Sequence, residues 1–116
     1  MRAVALPFRS SVRAGDWVAI SGQLGLTAGG LAEGFDAQAE SALANFVGEL
    51  ARHGLSPRHV VKTTVFLTDG SSYGAMNATY TAVFQDEPPA RSAIIVRDLP
   101  LGGLIEIEGW AYVPSV

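Results

Sequence analysis

The chain has 116 residues, a length that suits one compact domain and is too short for two. Its formal net charge is −3 and only 16% of its residues are charged, which argues against a phosphate-binding surface for nucleic acid. It has no cysteine, so disulfides, thiolate nucleophiles and zinc–thiolate sites are excluded.

The high apolar content, 48% of residues, bears on assembly and location. A small domain with so few charged residues cannot cover its whole surface with them, so we expect part of the apolar residues to be buried in a subunit interface. The alternative is a monomer with an unusually apolar surface. No stretch approaches the roughly 20 apolar residues that span a bilayer. The apolar run at the start is also shorter than the roughly 7–15 residues of a signal-peptide core. We therefore expect a cytoplasmic protein with no membrane segment.

Two strands joined by a turn are predicted first. Residues 10–13 and 17–21 read as strands, and Gly15-Asp16 between them is typical of a tight turn. In the second strand, Val18 and Ile20 are expected on one side and Trp17 on the other. Several glycines then interrupt regular structure, with room for one short edge strand.

An amphipathic helix is predicted over residues 35–53. Its apolar residues recur at spacings of three and four and draw one stripe: Phe35, Ala39, Ala42, Leu43, Phe46, Val47 and Leu50. Gly54 and Pro57 end this helix. A buried strand over 60–67 follows, and then a second helix that begins near Asp69. The second helix carries Tyr73, Met76, Asn77, Tyr80, Val83 and Phe84.

Two strands, over 91–96 and 104–113, complete the chain. On the last one, alternate residues suit packing against the helices: Ile105, Ile107, Ala111 and Val113. The opposite side carries Glu106, Glu108, Trp110 and Tyr112, and we expect another subunit to cover it and leave the carboxylates in a wet cleft. The order of elements predicts one α+β domain over residues 1–116, a two-layer sandwich whose mixed sheet has both helices on one face.

Arg91 and Glu106 are the main candidates for chemistry. Two prolines precede Arg91 and direct the chain into its strand, where the guanidinium can grip a carboxylate by two hydrogen bonds or pair structurally with an acid. Glu106 lies two residues from Glu108 on one strand face. A half-buried glutamate there can position water as a general base, although exposed charges commonly have the same spacing.

Other polar residues carry weaker signals. Ser21 closes the second strand, where its hydroxyl could meet a small ligand or simply belong to a turn. Asn77 could contribute a polar group to the site or make a hydrogen bond on the helix surface. The two histidines, His53 and His59, flank a helix end at a spacing that builds no metal site, and His53 is expected to satisfy the last helical carbonyls. We assign no metal.

Five motifs taken together resemble the RidA/YjgF family, whose members are also labelled endoribonuclease L-PSP. The resemblance runs from residue 7 to residue 112. The motifs are Ser21-Gly22-Gln23, the strand sequence VVKTTVFL at 60–67, Asn77-Ala78-Thr79-Tyr80, Pro89-Ala90-Arg91-Ser92 and the sequence LIEIE at 104–108.

The resemblance implies a chorismate-mutase-like fold and a homotrimer with clefts between subunits. Family members that keep the arginine typically hydrolyse reactive enamines or imines, such as 2-aminoacrylate and 2-iminobutanoate, to 2-keto acids and ammonia, and they need no cofactor. Their arginine binds the substrate carboxylate, and the glutamate of the last strand helps to hold the attacking water. Those roles fall to Arg91 and Glu106 in this chain.

The substrate-binding residues expected from the resemblance and the residue patterns are Phe8, Trp17, Ser21, Asn77 and Ala93. Phe8 stands where the family commonly has a tyrosine and therefore lacks a hydroxyl. Ala93 stands where the family often has a cysteine, but its backbone N–H would still be available to a carboxylate. Two alternatives remain: a related deaminase with a different substrate, and a trimeric module that binds small carboxylates without catalysis.

Overall fold

Within residues 6–114, five of seven strands form one sheet, and two α-helices cover one of its faces. The computed structural model describes residues 6–114. The strands are β1 (Ser11–Ala14), β2 (Trp17–Leu24), β3 (Leu26–Thr27), β4 (Gly30–Leu31), β5 (Val60–Leu67), β6 (Ala90–Ile95) and β7 (Ile105–Tyr112). The helices are α1 (Phe35–Ala51) and α2 (Tyr73–Phe84).

The large sheet is mixed and has the strand order β1-β2-β7-β5-β6. Among its described strands only the β5–β6 pair is parallel, because α2 carries the chain back across one face of the sheet between these two strands. The strands β3 and β4 form a separate small hairpin. The predicted α+β architecture, with both helices on one face of a mixed sheet, is confirmed.

Several element ends differ from those predicted. The helix α1 ends at Ala51 instead of residue 53, because Gly54 has a φ of 73° and the Leu55 N–H donates back to the Leu50 carbonyl. The strand β2 continues to Leu24 instead of ending at residue 21, because one extra residue is absorbed in a bulge and pairing with β7 resumes. The ends of β1, β6 and β7 differ from those predicted by one residue, and β5 has the predicted bounds.

The core lies between the sheet and the helices. The stripe predicted on α1 supplies its largest part, and β5 and β7 contribute every second side chain. The fully buried large residues include Phe46, Leu43, Leu50, Leu67, Met76, Ile105, Ile107, Val18 and Val65. Each large apolar side chain removed from water contributes about 1.5–3 kcal/mol, so this layer holds the helices on the sheet.

The end of α1 is tied to β1 by a polar cluster. The hydroxyls of Ser10 and Ser11 donate to Oε1 of Glu49 at 2.9 and 2.7 Å. Burial opposes ionisation of Glu49, but hydrogen bonds from both serines and the charge of Arg52 together lower its pKa. The prediction for His53 was wrong, since its Nε2 lies 2.8 Å from the Ser11 hydroxyl instead of at the helix carbonyls.

The other side of the sheet, here called the open face, has no helix packed on it within residues 6–114. It consists of Trp17, Ala19, Lys62, Thr64, Phe66, Glu106, Glu108, Trp110 and Tyr112. The ring of Trp17 lies 5.1 Å from that of Trp110 and 5.2 Å from that of Tyr112, and all three side chains remain 40–45% exposed. An aromatic cluster with this much exposure is typical of a binding surface.

Neither helix of the described residues has the length and apolar character that a bilayer crossing requires.

Candidate active site

Arg91 lies on the edge strand β6 and points toward α2. Two prolines fix the entry into this strand, and Arg91 is paired in register with Thr63 of β5, whose side chain is buried against the helices. The carbon atom at the centre of the guanidinium lies 4.7 Å from the Tyr80 ring centroid and 5.5 Å from the Tyr73 ring centroid. Its Nη2 donates to the Tyr73 hydroxyl at 3.1 Å. Two aromatic rings therefore hold the cation in one orientation.

The guanidinium of Arg91 has no acidic partner among residues 6–114. The ion pairs found there join Arg52 to Glu49 and Arg97 to Asp98. The alternative role for Arg91 was a structural ion pair with an acid at the strand edge. Residues 6–114 contain no such pair. Its Nη1 and Nη2 each donate one hydrogen bond within the fold, to the Met76 sulfur and the Tyr73 hydroxyl, and its remaining N–H groups can donate to an anion.

Asn77 and Ala93 lie near Arg91. Asn77 is four residues after Tyr73 and three before Tyr80, so it lies on the same face of α2 and is half-buried. Ala93 follows Arg91 by two residues on β6, which places both side chains on the same side of that strand. These positions agree with a shared site, but their contacts with a ligand stay predictions.

Glu106 lies on β7, and its side chain is on the open face of the sheet. It is paired in register with Leu24 on one side and Phe66 on the other, and it is half-buried. Burial raises the pKa of Glu106, and the nearby charge of Glu108 raises it further. A carboxylate with a raised pKa holds a proton more readily and is therefore a better base for water.

Ser21, within β2, is hydrogen-bonded to the segment that precedes β1. Its hydroxyl donates to the Arg9 carbonyl at 2.7 Å and its N–H donates to the Ser10 carbonyl at 3.0 Å. Its hydroxyl proton is thus used within the fold, while the oxygen can still accept a hydrogen bond. Phe8, two residues before Ser10, is exposed.

Trp17 is not brought to Glu106 within one chain. It is paired with Tyr112, six residues along β7 from Glu106, which corresponds to roughly 20 Å of strand. It instead packs with Trp110 at the far end of the open face. Within a single subunit, Trp17 cannot form a pocket wall beside Glu106.

Arg91 and Glu106 also lie on opposite faces of the sheet. Arg91 pairs with Thr63, which faces the helices, whereas Glu106 pairs with Phe66, which is three residues farther along β5 and faces away from them. Successive side chains of a strand alternate between faces, so this odd spacing separates the two groups. The two candidate residues of one chain thus lie in two separate places, here called half-sites, one around Arg91 and one around Glu106.

Two residues next to these groups make contacts that the sequence did not predict. Tyr73 holds the Arg91 guanidinium, and its spacing of seven residues from Tyr80, two helical turns, could have placed both rings on one helix face. Gly22 lies directly against the Glu106 carboxyl group. Gly22 belongs to the motif Ser21-Gly22-Gln23. Its contact with Glu106 joins residues 84 positions apart, so the neighbouring sequence could not predict it.

Neither the grooves nor the acidic side chains of the described residues form a further candidate site besides those around Arg91 and Glu106. The larger groove, of about 700 Å³, lies between α1 and α2 and includes neither Arg91 nor Glu106. Within residues 6–114, no group of three or more histidine or acidic side chains could hold a metal ion.

Comparison with known proteins yields matches over nearly the whole chain. The family model described as endoribonuclease L-PSP matches residues 2–113. A Mus musculus protein named 2-iminobutanoate/2-iminopropanoate deaminase is 39% identical over 112 residues, which cover 90% of this chain and 80% of the mouse protein.

Solved structures agree with this match. The crystal structure of RidA from the Antarctic bacterium Psychrobacter sp. PAMC 21119 has a TM-score of 0.90 at 39% identity, covering 96% of this chain and 92% of that one. The structure of E. coli TdcF with bound serine has a TM-score of 0.90 at 29% identity, covering 96% of this chain and 91% of that one.

Proposed function

Because this chain belongs to the RidA/YjgF family, the family described by the endoribonuclease L-PSP model, we propose that it is a cofactor-free deaminase of reactive 2-imino and 2-enamino acids. The products are 2-keto acids and ammonia. The observation that carries this proposal is the Arg91 guanidinium, which rests on two tyrosine rings with no acidic partner among residues 6–114. The bound serine of TdcF, a small carboxylate, supports a ligand of this class.

In the proposed mechanism, Arg91 binds the substrate carboxylate by two parallel hydrogen bonds. The Ala93 N–H and the Asn77 amide add donors beside it, and Phe8 forms part of the apolar wall. Glu106 orients a water molecule and accepts its proton as the water oxygen bonds to the carbon of the C=N group, whose nitrogen is protonated. Glu106 then returns this proton to the nitrogen of the resulting carbinolamine. Ammonia leaves as the C–N bond breaks and the C=O bond forms, and it takes up the hydroxyl proton as ammonium.

The imine is already electrophilic, so orientation and one placed water supply much of the rate enhancement. The raised pKa of Glu106 supports its role as the base.

We also propose that the active form is a homotrimer located in the cytoplasm. Arg91 and Glu106 lie on opposite faces of the sheet, so a site that contains both needs Arg91 from one copy and Glu106 from a neighbouring copy. The exposed aromatic cluster on the open face supports such a contact. Despite the label endoribonuclease, the net charge of −3 gives little support to RNA as a substrate.

The test is an assay in which 2-iminobutanoate is generated enzymatically in the presence of semicarbazide, and the competition between trapping and keto-acid release is followed. We expect the protein to accelerate release of the keto acid. Arg91→Lys loses the bidentate fork, so kcat/KM should fall about a hundredfold. Arg97→Lys, the same exchange at an exposed arginine, is the matched control and should retain the wild-type rate.

No acceleration by the wild-type protein across a panel of short and aromatic imino acids would contradict the deaminase proposal. Activity on a member of the panel other than 2-iminobutanoate would change the substrate and keep the reaction. Glu106→Gln separates catalysis from binding, because a pure binder would keep its affinity for a keto acid and would have no turnover to lose.

A further inference from the structure

The strand β2 contains one extra residue opposite β7. Ile20 is paired with Gly109 and Gln23 with Ile107, so Ser21 and Gly22 together face Glu108 alone. This is a β-bulge, which reverses the side of the sheet that the following residue presents. Val18 and Ile20 point toward the helices, and without the extra residue Gly22 would do the same.

Gly22 instead lies against the Glu106 side chain. A Cβ atom at this position would lie 2.7 Å from both Cδ and Oε2 of Glu106 and 3.1 Å from its Cγ. Carbon atoms in contact are normally about 3.5–4.0 Å apart. The carboxyl group therefore occupies the space that any side chain at position 22 would need. Among the thirteen glycines, all within the described range, Gly22 is the only one whose Cβ would meet a carboxyl group.

The bulge is held from both sides, so it cannot retreat to accommodate a side chain. Toward β1, Ser21 donates its hydroxyl and its N–H to the carbonyls of Arg9 and Ser10. Toward β7, pairing resumes at Gln23 and continues through Leu24. The far end of the glutamate is flexible, whereas this backbone is fixed, so an added methyl group would displace the carboxyl group and leave the strand in place.

We propose that Gly22 is a positioning residue for Glu106: the bulge presents a backbone without a side chain, against which the carboxyl group lies in the orientation that holds the attacking water. This inference rests on the proposed function for its catalytic consequence. The contact itself, between Gly22 and the carboxyl group, does not depend on that function.

The central experiment is Gly22→Ala in the full chain. We expect kcat for keto-acid release to fall about tenfold to a hundredfold, because a displacement of about 1 Å in a catalytic group has effects of this size. KM should change by less than about threefold, because the carboxylate contacts of Arg91 are untouched. Gly48→Ala is the matched control, since no atom lies within 4 Å of the added Cβ, and it should retain the wild-type kcat.

A second pair of variants, Glu106→Asp with and without Gly22→Ala, separates the contact with Glu106 from a general loss of folding or stability. Aspartate is one methylene shorter than glutamate, so in the Glu106→Asp background the carboxyl carbon takes the place of Cγ, which lies 3.1 Å from the added Cβ instead of 2.7 Å. The contact with a methyl group at position 22 is therefore weaker in this background. There, the additional change Gly22→Ala should lower kcat by less than about threefold. An equal loss in the wild-type and Glu106→Asp backgrounds, or no loss in either, would overturn the inference.

A titration without substrate separates this inference from the proposed function. The side-chain carboxyl carbon of Glu106 is followed by NMR and assigned by the signal that disappears in Glu106→Gln. Gly22→Ala should bring the pKa of Glu106 down toward its ordinary value, because the displaced group regains water, whereas Gly48→Ala should leave it as in the wild type. An unchanged pKa in Gly22→Ala counts against the positioning role. A shifted pKa in a protein that releases no keto acid supports the contact and contradicts the deaminase proposal.

Discussion

Glu106 is an ionisable group that the fold makes harder to ionise. Burial is the larger cause and the neighbouring charge of Glu108 the smaller one, and both raise the pKa of Glu106 above its ordinary value of 4.5. A group whose pKa is higher in the folded than in the unfolded state favours folding when protonated. That contribution is complete below pH 4.5 and is lost as the pH rises through the raised value.

The stability of Glu106→Gln should therefore depend on pH in a defined direction. Near pH 7 the wild type contains a half-buried charge that glutamine lacks, so the variant should melt a few degrees higher. Near pH 4 glutamate is protonated and resembles glutamine, so the two melting temperatures should converge. Melting curves at both pH values test this, with Glu40→Gln on the exposed side of α1 as the control. A variant less stable than the wild type at pH 7 would contradict the sign.

At the scale of elements, β7 is in close contact with both β5 and α1 at Gly109. A Cβ there would lie 2.5 Å from the backbone oxygen of Lys62, 3.1 Å from Cζ of Phe46 and 3.2 Å from Cγ2 of Thr63. The first atom belongs to β5, where the register with β7 also shifts between Val60 and Lys62. Three elements therefore meet at a point that has no room for a side chain.

Gly109→Ala should destabilise the domain through this contact. The methyl group meets fixed backbone, and overpacking of this kind costs about 1–3 kcal/mol or more in the free energy of unfolding. Gly48→Ala, on an exposed part of α1, should instead raise the free energy of unfolding by roughly 0.5–1 kcal/mol because alanine favours the helix. Urea denaturation of both variants measures the difference, and equal midpoints would refute the role given to Gly109.

At the scale of the whole molecule, the proposed active site would be completed by a second copy of the chain. Arg91 faces the helices at one edge of the sheet, and Glu106 faces away from them two strands farther in. The open face and the edge strand β6 also leave large apolar groups exposed, with Ile95 at 53% and Trp110 at 45%. An arrangement of identical subunits would cover these groups and bring together the halves of a site from neighbouring copies.

Mixing two inactive variants tests this arrangement. Arg91→Lys subunits retain Glu106, and Glu106→Gln subunits retain Arg91, so some sites in mixed trimers contain both native residues. With equal amounts and random assembly, about a quarter of the sites should be intact, and deaminase activity should recover to about that fraction. The variants are unfolded and refolded together, and the same variants refolded separately are the control. Recovery that fails in trimers shown to be mixed would mean that both residues act within one chain.

The sequence by itself determined the elements and their faces, because those follow from periodic patterns within short stretches. The apolar stripe of α1 and the alternation along β7 predicted which sides are buried, and five spaced motifs indicated the family and directed attention to Arg91 and Glu106. Only the tertiary structure decided the strand register, and with it which distant residues touch. The rings around Arg91, the position of Trp17 far from Glu106 and the contact of Gly22 with Glu106 all depend on that register. A one-residue bulge in β2 reverses the face that Gly22 presents, and nothing in the local pattern of residues 17–24 marks where that reversal falls.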